Sequence, residues 1–298
     1  MRLTLALLVV CATASADTRD RRLTVVEATI PELQAALRSG RITSRELVLQ
    51  YLARIATYED KLNAVITVNP RALEEADALD RERQAAGKGQ GKLRGPLHGI
   101  PIALKDNIHT THLPTTGGAL AFAGLVPPYE ATVTRNLRDA GAIIIAKTQM
   151  TELANWVAAN PGMPNNYNSL HGYGLNPYDP RRDPRDATAD GRPALNTGGS
   201  SSGTGTAASF WAANVGTETS GSILSPASAN MLAAVKPTVG RVSRHGIIPI
   251  TADQDTAGPM ARTVTDAAIL LGVLEGAPDA NDPATTRCLD ATGAGARP

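Results

Sequence analysis

Two short apolar runs constrain this chain most. Gly99-Ile-Pro-Ile-Ala-Leu104 and Ala142-Ile-Ile-Ile-Ala146 are apolar at consecutive rather than alternate positions, so a strand built from either must be covered on both faces. Between them, Val133 to Ala140 has helical spacing and Gly141 stands at its end. Strand, helix and strand in succession predict an α/β sheet with helices on both faces. The chain has 298 residues, 42% of them hydrophobic, enough to bury such a core in one large domain or two smaller ones.

Helices are expected upstream of the sheet. Thr29-Ile-Pro-Glu32 is a capping box with proline inside the helix start, and Gly40 closes that helix. Thr43-Ser-Arg-Glu46 opens a second helix whose apolar stripe is Val48, Tyr51, Leu52 and Ile55. A charged helix follows from about Arg71 to Ala86, then a linker around Gly87 to Gly91. Residues 160–196 are rich in Pro, Asn, Gly and Asp without periodicity, which predicts a long surface loop beside a site. At the N-terminus, Arg2, the apolar run Leu3 to Cys11 and Ala14-Ser15-Ala16 have the layout of a secretory signal. Cleavage after Ala16 would place the mature protein in the periplasm or outside the cell. The run is too short to remain as a membrane anchor. Cleavage would also leave Cys288 without an intramolecular disulfide partner.

Composition narrows the partners. The formal net charge is +1, and basic residues are interleaved with acids, as in Asp179-Pro-Arg-Arg-Asp-Pro-Arg-Asp186, so no phosphate-tracking face is expected. Aromatic residues make up 3% of the chain, too few for a base-stacking platform. No nucleic-acid partner is expected. His98, His109, His112, His171 and His245 lack metal-ligand spacing, which points to surface or pocket-wall positions and predicts no metal site.

The chemistry is expected in two glycine- and hydroxyl-rich turns, Gly198-Gly-Ser-Ser-Ser-Gly-Thr-Gly205 and Gly216-Thr-Glu-Thr-Ser-Gly-Ser-Ile223. Ala207 to Ala213 reads as a helix-like run between them. Backbone N–H groups in such turns can converge on an anion. A phosphate loop needs a Gly-Lys-Ser/Thr ending, which is absent, so an oxyanion suits the pattern better. Gly199-Ser-Ser-Ser-Gly203 also has the form of a nucleophile elbow, but no strand-like run precedes it and only His245 follows.

Three blocks resemble the amidase-signature hydrolases: Gly95-Pro-Leu-His-Gly-Ile-Pro-Ile-Ala-Leu-Lys-Asp-Asn107, Gly198-Gly-Ser-Ser-Ser-Gly203 and Gly216-Thr-Glu-Thr-Ser-Gly-Ser-Ile223. Flanking text agrees, including Lys236-Pro-Thr-Val-Gly-Arg-Val-Ser243 and Asp255-Thr-Ala-Gly-Pro-Met-Ala-Arg-Thr263. The similarity runs in one order from about Thr29 to Gly276. It implies a mixed sheet within the α/β fold and a Ser-Ser-Lys triad. In that triad Lys105 is the base, Ser200 the relay and Ser222 the nucleophile that forms an acyl-enzyme. Backbone N–H groups of Thr219, Ser220, Gly221 and Ser222 would form the oxyanion hole, with Ser201 an auxiliary polar contact. Asp106, Thr217 and Glu218 read as structural, and Lys147, also at a strand end, is the rival lysine.

The expected function is hydrolysis of a linear carboxylic amide, on a small-molecule or peptide substrate, without a cofactor. The exported branch that removes C-terminal amides from peptides is the nearest in kind. A carboxylesterase on the same triad, or a catalytically impaired binding protein, stands as the alternative. The expected layout is a signal peptide at 1–16 and one domain at 17–298, divided into a helical part (17–95), a catalytic core (96–276) and a polar tail (277–298).

Three departures from the family pattern carry expectations of their own. Ser200 and Ser222 stand about two residues closer than is usual, a shift that keeps strand facing but changes helix phase. Ser220 replaces the usual glycine or aspartate, which strains the turn if positive φ falls there. The chain also stops where relatives continue, so a fold incomplete at the C-terminus is expected.

Overall fold

The computed structural model describes residues 23–156 and 163–288. The expected signal peptide and the last ten residues of the polar tail lie outside the described residues. Two capped helices open the described chain. In α1 (Ile30–Arg38) and α2 (Ser44–Leu62), Thr29 and Thr43 each accept the N–H of the glutamate three residues on, and that glutamate returns to the threonine N–H. Helix α1 is tied to the far end of the described chain, since Asp266 Oδ1 accepts the Ile30 N–H at 2.8 Å.

The strands follow as β1 (Val65–Val68), β2 (Pro101–Lys105) and β3 (Ile143–Thr148). A small hairpin, β4 (Tyr167–Asn168) with β5 (Gly172–Tyr173), interrupts the stretch expected to be structureless. After it come β6 (Ala213–Glu218), β7 (Ala233–Ala234) and β8 (Thr256–Ala261). Six strands pair in the order β1-β3-β2-β6-β8-β7. The central pairs β3-β2 and β2-β6 are parallel, and the remaining three are antiparallel, so the sheet is mixed.

Every position of β2, β3, β6 and β8 is buried, as the consecutive apolar runs require. Helices α3 (Ala72–Gly87) and α4 (Thr132–Asp139) pack on β3, and α7 (Val264–Glu275) packs on β6, β7 and β8. Ile102, Leu104, Ile143, Ile144 and Ile145 are fully buried. Each contributes roughly 1.5–3 kcal/mol relative to an exposed position.

The expected helix over Ala207–Ala213 is not present. Helix α5 (Thr204–Ala207) ends after one turn, and Ser209 takes a left-handed φ of 55°. Trp211 folds back over Gly205, where an added Cβ would stand 2.2 Å from the indole, and its Nε1 donates to Thr206 Oγ1 at 2.7 Å. Burial of Phe210 and Trp211 overrides the local helical pattern, so the shortened link is a tight turn.

Candidate active site

Lys105 is the last residue of β2, and β6 runs parallel beside it with Leu104 opposite Val215. The site therefore lies at the carboxyl ends of two adjacent parallel strands, the usual location in α/β sheets. The Lys105 side chain is fully buried. Its Nζ donates to Ser200 Oγ at 2.9 Å, to Thr217 Oγ1 at 2.9 Å and to the Thr217 carbonyl at 3.2 Å. Burial pushes its pKa down to about 7, opposed by the negative charges of Asp255 and Glu218. A lysine that titrates there can accept a proton near neutral pH.

The two serine turns are stitched together behind this lysine. The Ser201 N–H donates to the Ser222 carbonyl at 3.0 Å, and the Thr151 N–H donates to the Ser200 carbonyl at 3.2 Å. Ser201 Oγ donates to the Thr217 carbonyl at 3.0 Å and accepts the Thr217 N–H at 3.1 Å. Only glycine fits at 199, because an added Cβ would meet the Gly221 carbonyl oxygen at 2.7 Å. Positive φ in the second turn falls on Gly221, at 78°, and not on Ser220. The serine that departs from the family pattern is therefore not forced into a left-handed conformation.

Beyond Ser222 the chain enters α6 (Leu224–Ala229). Glu218 Oε2 accepts the N–H groups of Ile223 at 2.6 Å and Leu224 at 2.9 Å, closing the turn that presents Ser222. Among the described residues, the N–H groups of Ser220, Gly221 and Ser222 have no hydrogen-bond partner, which leaves donors where an oxyanion hole was expected. Thr219 is held by its side chain, with Oγ1 donating to Asp255 Oδ1 at 2.5 Å.

The rival lysine is in a different electrostatic setting. Lys147 Nζ lies 3.2 Å from Asp106 Oδ1 and donates to Thr115 Oγ1 at 2.9 Å. Burial draws its pKa below the ordinary lysine value, and Asp106 opposes the shift. Lys105 contacts hydroxyls and a carbonyl, whereas Lys147 contacts a carboxylate. His245 lines the cavity beside Ser222 and stacks on Tyr129, with ring centroids 5.0 Å apart. His98 is not at the surface or on a pocket wall as expected. It is fully buried, with Nε2 2.9 Å from the Leu79 carbonyl. Among the described residues, no cluster of His, Cys, Asp or Glu is placed to hold a metal ion.

The structure also brings in residues whose part in the site is not, Glu218 apart, written in their local sequence. Thr217 is a direct partner of Lys105, Glu218 closes the Ser222 turn, and Asp255 fixes both Thr219 and the opposite wall by accepting the N–H groups of Ile250 and Thr251 at 2.7 and 2.9 Å. Glu218 had a readable signal, a carboxylate just ahead of a helix start. Ser222, Thr219 and Asp255 line a cavity of about 200 Å³ whose apolar wall includes Ala154, Ile247, Ile248, Pro249 and Ile250.

The family model described as Amidase matches residues 46–294. A probable amidase of Arabidopsis thaliana is 39% identical over 274 residues, covering 91% of this chain and 50% of its own length. A putative amidase of Arthroderma benhamiae is 40% identical over 257 residues, covering 85% of this chain and 40% of its own. Among solved structures, the native peptide amidase from Stenotrophomonas maltophilia is 42% identical with a TM-score of 0.78, covering 90% of this chain and 52% of its own. The chain thus spans about half the length of the relatives it matches. With three motif blocks, a buried lysine–serine contact and a mixed sheet that matches these relatives in fold, the chain belongs to the amidase family.

Proposed function

We propose that the chain hydrolyses a linear carboxylic amide through an acyl-enzyme on Ser222. The observation that carries this reading is the buried Lys105 Nζ, 2.9 Å from Ser200 Oγ, with a pKa near 7 and hydroxyl and carbonyl partners. Neutral Lys105 takes the proton of Ser200, which takes that of Ser222 as Ser222 Oγ attacks the amide carbonyl. Backbone N–H groups of 219–222 receive the negative charge that develops on the carbonyl oxygen. The proton then returns along the same relay to the leaving amine, and water releases the acid from Ser222. The peptide amidase among the solved relatives supports a peptide or small-molecule amide as substrate.

The test is a screen over peptide amides, aliphatic amides, aryl amides and short esters, run beside labelling by a fluorophosphonate serine probe. The reading expects amide turnover and labelling, both lost in Ser222→Ala. Labelling that survives Ser222→Ala overturns it. We also place the mature protein in the periplasm or outside the cell, on the signal-like residues 1–16. Intact-mass measurement of protein secreted from a bacterial host should give a chain beginning at Asp17, and retention of Met1 to Ala16 refutes export.

A further inference from the structure

We propose that Arg244 and Asp282 make the cavity beside Ser222 selective for amides with an uncharged, apolar acyl group, and against those whose acyl group carries a carboxylate. The inference rests on the amidase reading of the same site and names its substrate class.

The carboxylates and the guanidinium in the cavity wall are already engaged, and His245 stacks on Tyr129. Glu218 accepts the N–H groups of Ile223 and Leu224, and Asp255 accepts two N–H groups and the Thr219 hydroxyl. Among the described residues, Arg244 is the one guanidinium lining the cavity, and Asp282 neutralises it. Asp282 Oδ2 accepts Arg244 Nε at 2.8 Å and Oδ1 accepts the second nitrogen at 2.6 Å, a two-point fork. The remaining guanidinium nitrogen donates to the Ala252 carbonyl. Both side chains are shielded, at 17% and 5% exposure, so bulk water does little to loosen the pair.

A carboxylate entering this space would lose its hydration and meet Glu218, Asp255 and Asp282, with no uncommitted cation among the described lining residues to pair with. An alkyl or aryl group would instead cover Ile247, Ile248, Pro249 and Ile250. The selectivity thus contains a repulsive element and an attractive one. Its control point is Asp282: replaced by asparagine, it still offers a carbonyl oxygen to the Arg244 main-chain N–H, now 2.8 Å from Oδ2, but leaves the guanidinium charge uncompensated.

The experiment measures binding rather than turnover. In a Ser222→Ala background at pH 8, where an ordinary histidine is neutral, the full chain is titrated with hexanamide and with succinamate, and both Kd values are read by NMR. With the pair intact, succinamate should bind about tenfold or more weakly than hexanamide. Adding Asp282→Asn should tighten succinamate by about tenfold, and adding Arg244→Gln to that variant should remove the gain. Equal binding of the two ligands with the pair intact, no measurable hexanamide binding, or an unchanged ratio in folded Asp282→Asn would each overturn the proposal. If Asp282→Asn fails to fold, the ratio with the pair intact decides alone. A chain that labels at Ser222 but binds both ligands equally refutes the pocket assignment and leaves the hydrolase reading standing. A chain that never labels but discriminates between the ligands does the reverse.

Discussion

Lys147 Nζ lies 3.2 Å from Asp106 Oδ1, and both side chains are fully buried. Asp106 follows Lys105 directly, so adjacent residues face different partners: Lys105 donates to Ser200, and Asp106 pairs with Lys147. Removing one member leaves a buried charge without its partner. Lys147→Ala should therefore destabilise the fold by about 3–5 kcal/mol, lowering Tm by on the order of 10 °C. Probe labelling of the fraction that remains folded should stay near the unmodified level. Abolished labelling in a folded Lys147→Ala protein, with labelling spared in Lys105→Ala, would reassign the base.

Reactivity at Ser222 should follow the protonation state of Lys105. As the proposed base, Lys105 can accept a proton only when neutral, and burial depresses its pKa to about 7. Labelling rates should climb roughly tenfold per pH unit below 7 and level off above it. Lys105→Met should be slower by on the order of 10³-fold and lose this dependence. Stopped-time labelling across pH 5 to 9 reads both.

The same lysine should make stability depend on pH, with a definite sign. Its folded value of about 7 lies below the ordinary 10.5, so between these values the unfolded chain holds a proton that the folded chain lacks. Its contribution to stability then rises with pH through that window, by up to about 1.4 kcal/mol per unit, and the penalty is fully present below pH 7. Lys105→Met has no such group. Urea unfolding should show the variant's stability relative to the unmodified chain to be greater at pH 7 than at pH 9.5. The opposite trend would mean that Lys105 is charged in the fold.

For an uncharged substrate, Glu218 should matter chiefly by holding the turn that presents Ser222. Glu218→Ala leaves the Ile223 and Leu224 N–H groups without their acceptor, at a cost of about 1–3 kcal/mol. It should slow labelling as the turn loosens. Glu218→Gln keeps one oxygen in place and should recover most of the lost rate. Equal loss in both variants would point to the charge itself as the requirement.

What was legible in the sequence follows from how local each signal is. The capping boxes at Thr29 and Thr43 and the runs of β2 and β3 are written in adjacent residues and are found as read. The Ala207–Ala213 run is ambiguous because a short apolar stretch does not tell a helix from a packed turn. Only the approach of Trp211 to Gly205 settles it. Lys105 and Ser200 are 95 residues apart, and no periodicity links them. Their pairing was anticipated through resemblance between motif blocks. Thr217 looked structural because a threonine at a strand end has no chemistry until the neighbouring strand brings a lysine to it.

The central claim is that Ser222 is the nucleophile activated through Ser200 and Lys105. It is tested most directly by intact-mass and peptide-mapping analysis of the chain after fluorophosphonate treatment at pH 8. The account predicts one adduct, located on Ser222, absent in Ser222→Ala and slowed by on the order of 10³-fold in Ser200→Ala and in Lys105→Ala, with the double variant scarcely worse than either single one. An adduct on any other residue, or none on a folded chain that turns over amides, would contradict it.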